Sequence, residues 1–318
     1  ESIMTNIKKL GLTALAGSLA ATSAFAGALD VSGTAKVTYV SQDESEVSGN
    51  PYSMNQGIGF SGSGDLDNGM SIAYQYTMTN AAFSSSSLKL DMGDSGTLSL
   101  SNGAGTTGIS AYDDVMPTAG EEVWDDLDGQ ANGIATISNA NTLGWAGTFS
   151  GIGLSASYNK NAGSNLHGSS KSLVVSSSEL MDGFDVGIGM GDKAGASSHA
   201  GTDLTTAYAK YTMGSVTAGL QLTEIDVTAL NGDSDRTHVS ISMAINENLS
   251  ASIGQSVVEF ENPTKDDQEN TGFAVSYTMG SMTIAAFNNS EKSTSGTAGT
   301  DDSVTEVSVA FADRKSVV

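Results

Sequence analysis

The stretch LDVSGTAKVTYV, residues 29 to 40, settles the class of fold. Leu29, Val31, Ala35, Val37 and Tyr39 share one side of an extended chain, while Asp30, Ser32, Thr34, Lys36 and Thr38 share the other. A period of two is strand spacing, not helix spacing. The alternation returns in MSIAYQYTM (70–78), LGWAGTF (143–149), IGLSASY (152–158), FDVGIGM (184–190), VTAGLQL (216–222), THVSISM (237–243), FAVSY (273–277) and VTEVSVAF (304–311). Counting every such run gives sixteen candidate strands. Short turns at DLDNG (65–69), GDSG (93–96), SG (150–151), MDG (181–183), MGS (213–215) and NEN (246–248) pair them into hairpins. Between hairpins, loops of roughly ten or more residues are expected. YTMGS occurs twice, at 211–215 and 277–281, each time ending one strand and opening the next. Pro51, Pro117 and Pro263 all fall in the longer connections, because proline cannot donate to a ladder.

Two architectures use so many alternating strands: a water-soluble sandwich or solenoid with its apolar face inside, and a membrane barrel with that face outside. Three features favour an all-β transmembrane antiparallel barrel. The polar faces are rich in Ser, Thr, Gly and Asn, as a wet lumen requires. Tyr39, Tyr158, Tyr211, Tyr277 and Phe311 lie near strand ends, where an aromatic girdle meets the lipid interface. Short turns on one rim oppose longer loops on the other. Closure also removes every edge strand and satisfies every backbone group within the wall. Sixteen strands leave a water-filled bore.

The composition agrees. The chain has 318 residues, no Cys, a formal net charge of −23 and 38% hydrophobic residues. That apolar content excludes a disordered acidic chain, and the acidic balance excludes a nucleic-acid partner. Residues 4–26 form an export signal, with Met4, basic Lys8 and Lys9, an apolar run from Leu10 to Ala21, and a small-x-small site at Ala24-Phe25-Ala26. The mature chain is expected from Gly27, with the barrel over 27–312.

The export signal, the opening strand ALDVSGTAKVTYV, the hairpin GDLDNGMSIAYQY, the closing strand VTEVSVAFA and one long acidic loop after the fifth strand occur in an order that resembles the Gram-negative general diffusion porins. The likeness is to their sixteen-stranded alphaproteobacterial type. It implies a homotrimer in outer-membrane lipid, passing small hydrophilic solutes and ions passively, with a long loop folded inward as a constriction. That loop spans 103–141 and carries Asp113, Asp114, Glu121, Glu122, Asp125, Asp126 and Asp128. Carboxylates ringing a wet eyelet concentrate cations and repel anions. As a solvated surface loop they set no selectivity.

Trp124, between two acidic pairs, suits a loop anchor better than a sugar platform, which needs several aromatics in series. Asp125, Asp126 and Asp128 offer oxygens to Ca²⁺, but DDLDGQANG lacks the spacing and final Glu of an EF-hand, so a bound ion stays open. Strand parity directs Lys36, Lys89, Lys210, Arg236 and His238 into the lumen, with Arg236 and His238 equally placed as rim residues near a loop end, and the family pattern sets such a basic wall across the pore from the loop. The basic set is thin, which favours cation preference over a strong transverse field.

Enzyme chemistry finds no support. His167, His199 and His238 are scattered, no G-x-S-x-G elbow occurs, and adjacent Glu121 and Glu122 make a weak acid and base pair. The competing reading is an exported surface adhesin or surface-layer β-protein without channel activity. DRKSVV, residues 313–318, breaks the alternation where the family ends on an aromatic residue, and is expected to be a non-native tail. ESI ahead of Met4 reads as translated upstream sequence.

Overall fold

In the computed structural model, residues 29–42, 50–103, 106–130, 134, 141–160, 167–195 and 200–317 are described. The expected export signal over 4–26 lies outside them. The first eight strands are β1 (Leu29–Gln42), β2 (Tyr52–Asp65), β3 (Ser71–Thr79), β4 (Ala82–Asp91), β5 (Thr97–Asn102), β6 (Thr142–Phe149), β7 (Ile152–Asn159) and β8 (His167–Ser177). The second eight are β9 (Phe184–Gly195), β10 (Thr202–Met213), β11 (Val216–Val227), β12 (Ser234–Ala244), β13 (Leu249–Phe260), β14 (Gln268–Met279), β15 (Met282–Lys292) and β16 (Asp302–Val317). Each pairs antiparallel with its sequence neighbours, and β1 pairs β16 to close the barrel. β16 continues past Ala312 to Val317, which stands opposite Leu29.

The alternation places side chains as a membrane demands. On β13, Ile253 is 63% exposed, whereas Ser256 on the inner face is 0% exposed. The outward set includes Val37, Tyr74, Leu100, Leu220, Val239 and Phe273. The buried set holds Ser101, Ser157, Thr206, Gln221 and Asn270. A soluble protein buries the first group. Here their exposed surface is the one that lipid covers.

One expectation about connections is corrected. Apart from 103–141, the connections on the rim of longer loops run from two to nine residues, and the shortest is Asn80 and Ala81. The strands took the missing residues: β9 reaches Gly195 and β14 begins at Gln268. Asn80 and Ala81 both take positive φ, 49° and 64°, as a two-residue hairpin of type I′ needs. The rim asymmetry therefore rests almost wholly on the segment 103–141.

An arginine on the lipid side should cost about 2–4 kcal/mol near the bilayer midplane. Leu220→Arg is expected to lose that much in denaturant unfolding from lipid vesicles, and Ser242→Arg, on the lumen side, far less.

Candidate functional site

The segment 103–141 leaves β5 and returns as β6, and its described part crosses the lumen. Ladder bonds already occupy the wall's N–H and C=O groups, so the segment's backbone finds wall side chains instead. Gly108 N–H donates to Ser155 Oγ on β7 and Ile109 N–H to Ser172 Oγ on β8, each at 2.9 Å. Gln221 on β11 donates to the Tyr112 carbonyl at 2.8 Å, and Ala119 N–H donates to Ser252 Oγ on β13 at 2.9 Å. Asn289 on β15 donates to the carbonyls of Glu122 (2.8 Å) and Asp125 (3.1 Å). Asp302 Oδ2 on β16 accepts from Asp128 N–H at 2.8 Å. Gln268 on β14 pairs with both backbone groups of Gln130, each at 2.8 Å. Finally, Gln42 on β1 donates to the Asp126 carbonyl at 3.2 Å.

Packing reinforces these bonds. Ile109, Tyr112 and Met116 bury against Val174, Leu204, Tyr208 and Ile225, apolar residues on the otherwise polar inner face. Ala119 and Leu127 pack on Ala274, Phe287 and Val304. Two lumen-facing glycines make room: a Cβ on Gly219 would stand 2.8 Å from Met116 Sδ, and one on Gly254 would stand 3.0 Å from Val123 Cγ1. The inner loop is thus a fitted part of the barrel.

The seven expected carboxylates do not form one ring. Asp114, Glu121, Asp126 and Asp128 are exposed, while Asp113, Glu122 and Asp125 are half-buried. Asp113 accepts from Ile134 N–H at 2.7 Å. Glu122 and Asp125 close a turn on each other, with Glu122 N–H bonded to Asp125 Oδ2 at 2.9 Å and Asp125 N–H to the Glu122 carbonyl at 3.1 Å. Burial raises the Glu122 carboxyl to about 8, helped by the charges of Asp114 and Asp125. Burial also raises Asp125, and raises Asp114 with the neighbouring charges of Asp113 and Glu121.

The oxygens of Glu121, Glu122 and Asp125 come within 4.8 Å of one another. Of the Asp125, Asp126 and Asp128 set considered for Ca²⁺, this grouping contains Asp125. Asp126 takes a positive φ of 59°, and Asp128 N–H donates to Asp302 Oδ2.

The basic residues expected across the pore take several positions. Lys36 contacts the loop itself, 3.4 Å from Glu121 and 2.8 Å from Glu306. Lys210 pairs with Asp185 at 3.0 Å and lies over Tyr208, which packs edge-on against Tyr112 of the loop. Buried His238 meets Trp124 edge-on at 4.7 Å, and Arg236 lies within the field of Asp113. Lys36 and His238 thus touch the loop, Arg236 feels the charge of Asp113, and Lys210 lies on Tyr208, against which the loop packs. Lys89 stands on β4, away from these contacts.

Beside the loop is a space of about 570 Å³ lined by Glu121, Asp125, Asp126 and Glu306, with Ser53 and Asn55 of β2 among the facing residues and Lys36 as its cation. Sequence reading missed Glu306 and the polar anchors Gln268, Asn289, Glu291 and Asp302. Their signal was available: each lies on the polar parity of its strand. The apolar residues Val174, Leu204, Ile225, Phe287 and Val304 on that same parity mark where the loop packs.

Since Glu122 holds its proton more tightly in the folded loop than in the unfolded chain, seating of the loop weakens as pH rises from the ordinary carboxylate range through about 8. Hydrogen-exchange protection of residues 118–127 should fall over that range in the native protein and stay flat in Glu122→Gln.

A family model described as Gram-negative porin matches residues 11–312. No curated protein matches the chain. The fold is similar to that of an anion-selective porin from Comamonas acidovorans, at 15% identity and a TM-score of 0.66, covering 90% of this chain and 98% of that one. It is also similar to OmpT, an outer membrane protein of Vibrio cholerae solved in a trimer form, at 12% identity and a TM-score of 0.69, covering 90% and 99%. A porin refined at 1.8 Å gives 14% identity and a TM-score of 0.68, covering 90% and 100%.

Proposed function

The chain belongs to the Gram-negative porin family, and from that premise we propose that its outer-membrane channel passes small hydrophilic solutes and ions down their gradients with cations favoured. The family and its fold are those of non-enzymatic channel proteins, which displaces the adhesin reading. What supports cation preference is the charge around the space beside the inner loop. Four carboxylates line it, and its cation, Lys36, is held by two of them. The carboxylates of Glu121 and Asp126 are exposed there, so mobile cations screen them and gather near them.

Fold alone carries no preference, since a barrel of this shape in Comamonas acidovorans is anion-selective. The side chains set the sign. We further propose assembly as a homotrimer in outer-membrane lipid, and export by cleavage after Ala26.

Reversal potentials in planar bilayers under a salt gradient test the reading. A wet carboxylate a few ångströms from a passing ion contributes about 1 kcal/mol. Making Glu121, Asp125 and Asp126 neutral together should therefore cut the cation-to-anion permeability ratio by at least about tenfold, since even two such contributions exceed the roughly 1.4 kcal/mol of a tenfold change. An unchanged ratio would place these residues off the ion path.

A further inference from the structure

Among the described residues, Lys36 on β1 is the basic side chain that lines the space beside the inner loop. Its ammonium sits between a carboxylate of the loop and one of the wall: Nζ donates to Glu121 Oε1 at 3.4 Å and stands 2.8 Å from Glu306 Oε1 on β16. Neither contact is a good hydrogen bond. The first is long, and in the second Nζ is not aligned to donate, so the buried Oε1 of Glu306 receives charge but no hydrogen bond. Glu306 is 6% exposed, so solvent reaches little of it.

The reason lies in the tether. An ammonium carries three N–H donors in a fixed fan, and the stem of Lys36 decides the direction from which they arrive. That direction is oblique, because the direct partner of Lys36 on β16 is Ala310, whereas Glu306 stands opposite Val40. A primary ammonium on a free solute has the same charge and donors without the stem. The seat is also within reach of the space, since the side chains of Lys36 and Glu121 are 35% and 45% exposed. Neighbouring polar groups are already committed: Thr38 bonds Ser53, and Gln42 donates to the Asp126 carbonyl. The carboxylates remain for a solute.

We propose that the seat between Glu121 and Glu306 takes the primary ammonium group of a permeating alkylammonium ion, and that Lys36 is a tethered occupant which the solute displaces. The inference rests on the cation preference proposed above and gives it a chemical class. Exchanging one ammonium for another keeps both carboxylates neutralised, and the displaced Nζ has the exposed carboxylate of Asp126 on the same space. No buried charge is left bare. Because the competitor is tethered, its effective concentration at the seat stays fixed, and the solute is held weakly enough to leave again. A quaternary ammonium has the charge but no N–H to offer these acceptors. Preference for a primary over a quaternary ammonium therefore separates this seat from cation preference in general.

The test uses the full-length protein in planar bilayers, with the potassium current challenged by butylammonium or by tetramethylammonium, isomeric ions of equal charge. Butylammonium should block the native channel more strongly than its isomer. Lys36→Met removes the tethered competitor and should raise the ratio of the two block affinities by roughly tenfold or more, the scale of one hydrogen bond to a charged group. Glu306→Gln, which leaves Lys36 beside Glu121, should abolish the native preference, and this comparison stands even where Lys36→Met does not assemble. Equal block of the native channel by the two isomers would overturn the proposal, as would a preference unchanged in Glu306→Gln. Equal block together with cation-selective reversal potentials would overturn the seat alone, whereas anion-selective reversal potentials would overturn the cation preference and the seat with it.

Discussion

The structure depends on one constraint: a closed barrel commits its own backbone N–H and C=O groups to the ladder, so a segment folded into its lumen must be held by wall side chains. Residues 103–141 are such a segment. Ser155, Ser172, Gln221, Ser252, Gln268, Asn289 and Asp302 each offer a side chain to loop backbone. Each bond is worth only about 1 kcal/mol net, and ordering each residue costs as much or more. No single anchor can hold the loop. The apolar track from Val174 to Ile225, and that from Ala274 to Val304, provide the rest.

Fixing the loop sorts its charges. Glu121 and Asp126 stay exposed at the space beside the loop, where solvent screens them. Glu122 and, at the edge of that space, Asp125 are partly buried and lose water, and their protons are bound more tightly as a result. One acidic run thus supplies both ion-facing carboxylates and a partly buried, proton-holding turn. The crowding seen in GEEVWDDLDG is relieved in part by burial, since Glu121 is exposed while its neighbour Glu122 is half-buried.

The barrel was legible because lipid enforces a strict period of two. Leu29 to Val40 already carries it, and a parity slip would put Lys36 in lipid. Loop lengths were less legible, since polar residues at strand ends such as Gln268 and Asn270 look like loop but continue the ladder. The inner loop's length and acidity could be read, but its path could not. That path depends on contacts far apart in sequence, such as Val123 over Gly254 and Gln130 on Gln268. Without it, Lys36 and His238 were set across the pore from a loop that they touch. Glu291 and Asp302 left only a faint trace: acids on the inner face of two neighbouring strands.

A disulfide would test the seating of the loop most directly, because the chain has no Cys of its own. Val123 Cγ1 lies 3.0 Å from where a Cβ on Gly254 would stand, close enough for a bridge between loop and wall. In the double variant Val123→Cys with Gly254→Cys, the bridge should form nearly completely on oxidation, with channel conductance unchanged. Failure of the cysteines to pair, or a bridge that changes the conductance, would contradict a loop held inside the barrel along this path.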